Sequence, residues 1–331
     1  MKFRFSTLLS CILLLCLAAP SFAAESPDKK DWPDQLRFMA GPPGGNWFAL
    51  GTALADIWSK EVINTSSSTG GGVSNIINAN SRKGDLGFSV SSFLGAAMKG
   101  EEDFKGRVVD NAVIFSNLYT QVTYFIVRKD FASKNNIRTV GDLLKNKVRF
   151  ATLKPGTASE FAVKVLFKKG YGTDTNALKS ERGWTVEYAS YEGGADLMAD
   201  DHIDCFAFSV GSIASIVMNI ESKQDVVVLE VEQNALDAVA EAYGTTTHTI
   251  QPGIYKGVTS PVKTLGDYTS IVIRKDLPES LVFALSKSMW DNRKSLTEAV
   301  RDMQELSPEI ALPAGLPSHP GSERFWKTVK Q

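Results

Sequence analysis

The joints between strand-like and helix-like segments constrain this chain most. Four of them, residues 41–46, 66–75, 89–92 and 155–159, are rich in glycine, proline and small hydroxyl residues. In a parallel sheet such joints lie at one edge, the carboxyl ends of the strands, where open α/β folds take their ligands. Each following helix points its unpaired N–H groups and the positive end of its dipole to that edge. The run SSSTGGGVSN, residues 66–75, sets the sharpest condition. Three consecutive glycines are entropically costly to order, so they imply either close approach to bare N–H groups or a mobile loop.

Around these joints the periodicity alternates strand, helix, strand. Residues 36–41 read as a strand and 47–61 as a helix with Phe48, Leu50, Ala53, Leu54, Ile57 and Trp58 on one side. Strand-like 62–69, helix-like 73–82, strand-like 85–90 and helix-like 92–98 follow, then two strands at 112–119 and 123–130. A second series runs from 147 to 231 with the same alternation. The pattern predicts an α/β fold of βαβ units with a mainly parallel sheet, in two tandem halves divided near residues 130–138. The near-repeat of YFIVRKD (124–130) and SIVIRKD (270–276) is compatible with two strands ending in charged turns. It is also compatible with two crossings between lobes lying side by side as a hinge.

The first 23 residues read as a signal peptide: a basic start, an apolar run from Leu8 to Ala19, and Ser21-Phe22-Ala23 as a small-x-small cleavage site. That predicts cleavage after Ala23, a flexible leader over 24–34 and a periplasmic location. Cleavage removes Cys11 and Cys16, leaving Cys205, which on a strand-like apolar run reads as a small buried side chain. With 36 basic and 37 acidic residues and no basic block, nucleic acid is excluded as a natural partner.

Enzyme signatures are missing. His202, His248 and His319 are far apart, and there is no G-x-S-x-G, H-E-x-x-H, G-x-x-x-x-G-K-[ST] or C-x-x-C. A dispersed triad stays open as an alternative. No metal, cofactor or catalytic residue is expected. The glycine joints instead suit an anion. Gly44 and Gly45 allow a tight turn before the helix at Trp47, and Gly156 and Thr157 repeat the device in the second half. Lys154 could add a formal charge there, or be a solvated loop lysine. Trp47 and Tyr119 are the aromatic residues expected to wall a pocket.

Six segments together resemble the TAXI solute receptors of tripartite ATP-independent periplasmic (TRAP) transporters. Gly44-Gly45-Asn46-Trp47-Phe48 resembles the family's glycine-x-tyrosine-tyrosine opening, and Thr69-Gly70-Gly71-Gly72-Val73-Ser74-Asn75 its T-G-G-S-x-E-N motif. Residues 88–92 sit where the family carries a Gln and an Asp; here Val90 and Ser92 stand. Pro155-Gly156-Thr157 resembles its S-G-T turn, Val210-Gly211-Ser212 its A-G-x-P turn, and His319-Pro320-Gly321-Ser322-Glu323-Arg324-Phe325 its H-P-G-A-x-R-[FY] signature.

The resemblance implies a two-lobe periplasmic binding fold of type II, with helices on both faces of the sheets and a ligand cleft between lobes. The expected first lobe is 35–128 plus roughly 270–331, and the second 129–269. Gly44, Gly45, Asn46, Thr69, Gly70, Gly71, Asn75, Gly156 and Thr157 would receive an anion, with Ser89, Ser91, Ser159 and Gly211 lining the cleft. The implied ligand is a small organic acid, a C4–C6 dicarboxylate or glutamate-like, and the implied partner the membrane permease of a TRAP transporter. A periplasmic sensor presenting its solute to a histidine kinase is the alternative on the same fold.

Overall fold

Two arginines open the two halves of the molecule in the same way. In the computed structural model, which describes residues 29–313 and 315–330, Arg37 donates its backbone N–H to Asp85 Oδ2 at 2.7 Å and its Nε to the same oxygen at 3.0 Å. Arg149 repeats both bonds to Asp204 Oδ2, at 2.9 and 3.1 Å. The signal peptide over 1–23 lies outside the described residues.

The first half runs β1 (Leu36–Met39), α1 (Asn46–Glu61), β2 (Thr65–Ser68), α2 (Gly72–Asn80), β3 (Leu86–Val90) and α3 (Ser91–Lys99). A long strand β4 (Ala112–Arg128) leads, through α4 (Lys129–Lys134) and α5 (Val140–Leu143), into the second series. That series is β5 (Arg149–Thr152), α6 (Ala158–Val165), α7 (Thr175–Arg182), β6 (Thr185–Tyr188), α8 (Tyr191–Ala199), β7 (Cys205–Gly211) and α9 (Ser215–Lys223). Then come β8 (Val226–Val228), α10 (Gln233–Tyr243), β9 (Thr246–Ile250), the long returning β10 (Val262–Arg274), α11 (Glu279–Asp291), α12 (Arg293–Ala299) and α13 (Pro320–Val329).

The predicted α/β class with two lobes is what the chain forms. One ladder runs β2-β1-β3-β10-β4-β7-β5-β6, with β8 on β4 and β9 on β10. The βαβ strands pair in parallel, β1 with β2 and β3, and β5 with β6 and β7. Every antiparallel pairing involves β4 or β10. These two strands lie side by side, Gly266 opposite Val122 through Arg274 opposite Ala112. Each carries sheet of both halves: β4 also pairs β7 over Gln121–Val127, and β10 pairs β3 over Thr269–Ile273.

The two expected strands at 112–119 and 123–130 are thus one continuous strand. Polar Asn117, Thr120 and Gln121 look like a break, but β10 pairs with them throughout. The IVRKD near-repeat also gains a cause. Arg128 pairs with Asp130 and Asp201, and Arg274 with Asp276 and Asp85, at the outer ends of the two crossing strands. The backbone N–H of Arg128 reaches Asp204 O, and that of Arg274 reaches Asp85 O. The halves repeat the same strand order and the same arginine–aspartate contacts at matching points.

Apolar alternation drives the burial. Leu36 and Phe38 of β1 face inward, and Phe38 packs on Trp58 and Phe88 with ring centroids 5.5 and 4.9 Å away. In the copy, Phe150 meets Trp184 at 5.2 Å. Cys205 is fully buried on β7. Of the expected leader, Trp32 docks on α11, its indole N–H donating to Ser280 Oγ at 2.9 Å.

Candidate functional site

The cleft forms where α1 and α2 of one half face α6 and α8 of the other, all beginning at the carboxyl ends of strands. Gly45, Asn46, Trp47, Gly71 and Gly72 line one wall; Leu153, Thr157, Ala158, Ser159 and Tyr191 line the opposite one. Pro42, Gln121, Val210 and Gly211 complete the lining around about 400 Å³, counting the open mouth. The first turns of α1, α2 and α6 therefore present N–H groups that have no carbonyl in their own helix.

Missing side chains make this approach possible. Gly45 precedes α1 without a side-chain cap, and a Cβ on it would lie 3.3 Å from the Tyr191 ring. A Cβ on Gly71 would lie 3.1 Å from Gly156 O. The halves touch there: Val73 N–H donates to Gly156 O at 3.3 Å. Gly156 holds φ +86°, a left-handed turn that favours glycine. Behind this contact Phe93 and Phe161 meet at 3.9 Å between centroids.

The polar wall is tightly braced. Ser159 Oγ donates to Ser209 O at 3.0 Å and accepts Ser209 N–H at 2.9 Å, while Tyr191 OH donates to Ser209 O at 2.9 Å. Trp47 Nε1 donates to Thr269 Oγ1 at 3.2 Å, and Thr269 donates to Gln121 Oε1 at 2.8 Å. Asn46 Nδ2 donates to Asp302 Oδ2 at 2.9 Å. Asp302 Oδ1 accepts Ser212 Oγ at 3.0 Å and Ile213 N–H at 3.3 Å, so one carboxylate ties α1 to the turn after β7. Glu305 accepts Thr120 N–H and Oγ1, each at 2.8 Å. Burial pushes the Asp302 carboxyl up, opposed by the bond from Ser212. No Lys or Arg lines the cleft among the described residues.

The structure gathers Gly45, Asn46, Trp47, Gly71, Thr157, Ser159 and Gly211 in the cleft. Gly44 (φ +82°) and Thr69 lie exposed near its rim. Gly156 contributes its carbonyl to the interlobe bond. Gly70 packs on Asn75, where a Cβ would come within 2.2 Å of Oδ1. Asn75 is fully buried and saturated: Nδ2 donates to Met39, Ala40 and Phe88 carbonyls at 2.8–3.0 Å, and Oδ1 accepts Gly71 N–H. It shapes the glycine loop and has no atom left for a solute. Ser89 bonds Gly72 O; Ser91 bonds Asn117 and Ser270 away from the cleft. Lys154 is exposed, its carbonyl accepting Thr157 Oγ1 at 2.8 Å. Tyr119 is buried on β4 with its hydroxyl unpartnered, and burial pushes its phenol up.

Sequence reasoning passed over Gln121 and Asp302 as site residues and set Tyr191 aside. Tyr191 stands at a strand-to-helix joint and was readable there; Gln121 lies mid-strand, and Asp302 meets the cleft at Asn46, 256 residues earlier, and beside Gly211. No histidine lines the cleft. His319 caps α13, its Nδ1 accepting Gly321 N–H at 3.2 Å, which accounts for the H-P-G signature locally. Among the described residues, no group of three or more His, Cys, Asp or Glu could hold a metal.

Solved structures similar to the chain have low identity. One described as a periplasmic transporter is 14% identical, covering 89% of this chain and 92% of its own, with a TM-score of 0.49. The amino acid transporter substrate-binding protein AbpA from Streptococcus pneumoniae, bound to L-arginine, is 14% identical, covering 82% and 94%, at 0.47. The alkanesulfonate-binding protein SsuA from Xanthomonas axonopodis pv. citri, bound to MOPS, is 16% identical, covering 89% and 84%, at 0.44. The NMT1-like family matches residues 38–329, nearly the whole described chain, and the protein belongs to that family.

Proposed function

We propose that this is an exported, periplasmic solute-binding protein without catalysis. Its lobes, 35–128 with roughly 270–331 and 129–269, close on a small organic acid of the C4–C6 dicarboxylate or glutamate-like class. The solute passes to an ion-gradient-driven membrane permease of the TRAP type. One observation carries the reading: helix N-termini from both halves converge on a single cleft that holds no catalytic constellation. The hinge is the middle of β4 and β10, the pair that crosses between halves. Solute binding then shifts an open–closed population. Among the described residues no helix is long and apolar enough to cross a membrane.

The test is calorimetric titration of protein freed of bound solute by unfolding and refolding, with a panel of C4–C6 acids and amino acids. Saturable binding by members of the panel supports the assignment; no heat from any of them sinks it.

A further inference from the structure

The buried carboxylates divide into two groups. Asp85 and Asp204 lie at the outer ends of the strands and are neutralised by Arg37 and Arg274, and by Arg149. Asp267 and Asp302 lie between the halves, and neither forms an ion pair with a described Lys or Arg. A buried, unbalanced carboxylate is costly, and such groups ordinarily acquire a partner.

Asp267 opens onto a small chamber directly behind the cleft. Gln121 and Ala158 belong to the lining of both spaces. The chamber has room for one group of water or ammonium size, and Asp267 is its only charged lining residue. Asp267 Oδ2 accepts the Ser92 N–H and, closely, the Ser92 hydroxyl, which makes it a cap for α3. Capping leaves Oδ1 with the Tyr268 N–H alone, at 2.7 Å. A second polar group points the same way: Thr245 is 92% buried, lines the chamber, and its hydroxyl has no partner.

We infer that this chamber receives the ammonium group of the solute, held by Asp267 with Thr245, while the solute's carboxylate lies at the helix N-termini of the cleft. The proposal rests on the acid-binding reading above and narrows it. Asp267, Asp302 and Glu305 lie behind the cleft lining, which has no Lys or Arg among the described residues, and this negative bias disfavours a dianion lacking an amine. A glutamate-like amino acid is therefore preferred over a dicarboxylate of the same length.

The experiment is calorimetry with matched pairs: L-glutamate and glutarate, L-aspartate and succinate, L-leucine and 4-methylpentanoate. The wild type is expected to bind at least one amino acid about tenfold or more tightly than its amine-free counterpart, the worth of a hydrogen bond to a charged group. Asp267→Asn should shrink that preference to about twofold or less, with the amine-free acid little affected. Thr245→Val, a smaller change to the fold, should lower the preference by about threefold and decides the matter if Asp267→Asn fails to fold. Amine-free acids binding as tightly as the amino acids, or variants that keep the full preference, overturn the chamber's role while leaving an acid-binding protein. Wild type that binds no member of any pair overturns both.

Discussion

Val73 N–H, in the first turn of α2, donates to the carbonyl of Gly156, in the turn before α6, at 3.3 Å. The two glycine-rich joints thus touch each other across the cleft. Other contacts reinforce it. Asp302 joins Asn46 to Ser212 and Ile213, and Glu101, Glu102 and Asp103 face Lys169, Lys168 and Lys164.

Gly211→Ala would place a Cβ within 2.1 Å of Asp302 Oδ2 and 2.9 Å of Asn46 Nδ2. Neither neighbour is free to move, since each holds the other. Overpacking of this kind costs about 1–3 kcal/mol. The variant should melt several degrees lower and show a larger radius of gyration by small-angle scattering. An unchanged radius with an unchanged melting temperature would show that Asp302 does not hold the cleft shut.

A lysine–acid row also joins the two halves, and it is expected to act as a salt-sensitive latch. Lys168 Nζ lies 2.8 Å from Glu102 Oε1, and Glu102 also accepts the Tyr243 hydroxyl at 2.9 Å. Although burial raises the Glu102 carboxyl, these two donors bring it below its ordinary value. Partly exposed pairs contribute roughly 0.2–1 kcal/mol each and are screened by salt. Lys164→Gln with Lys168→Gln should raise the open population about three- to tenfold in low salt, read by interlobe fluorescence transfer. The gap between variant and wild type should close near 1 M salt; a gap that persists there would rule out an electrostatic latch.

Asp85→Asn and Asp204→Asn should both be costly, the first more so, because Arg37 and Arg149 grip the two carboxylates alike while Asp85 also pairs with Arg274. Removing one partner of a buried pair costs on the order of 3 kcal/mol. Chemical denaturation gives both values, and a smaller loss for Asp85→Asn than for Asp204→Asn would contradict the extra hold by Arg274.

Burial pushes the Asp267 carboxyl up to about 6. The folded value lies above the unfolded one, so the folded state holds the extra proton between them. This group's contribution therefore favours folding at pH 4 and is lost as pH rises through about 6, by about 3 kcal/mol. Calorimetric melting of wild type and Asp267→Asn from pH 4 to 7 tests it. The wild type should lose stability relative to the variant across that interval, and parallel curves would remove Asp267 as the cause.

Much of this was legible in the sequence because it is local. The helix at 47–61 and the strand at 85–90 follow from apolar spacing, and the glycine joints mark the edge where the cleft opens. What was not legible depends on distant pairs. Asn75 looks like a ligand group in its motif, but its amide is used by carbonyls of residues 39, 40 and 88. Asp302 and Asp267 carry no local mark; their meaning comes from Asn46 and Ser92, reached only after the sheet is assembled. The helix α10 was readable from Ala235, Leu236, Val239 and Tyr243 with Gly244 behind them, and was passed over.

Strand β10 sits between β3 and β4, yet it begins 150 residues after β4 begins, at Val262 against Ala112. While the chain is being synthesised, the half that starts first therefore has a gap through its middle and finishes last. Residues up to about 250 emerge able to form helices but unable to complete that sheet, so an early commitment to the native state is ruled out by connectivity. Loss of the last quarter of the chain would undo the part of the protein made first.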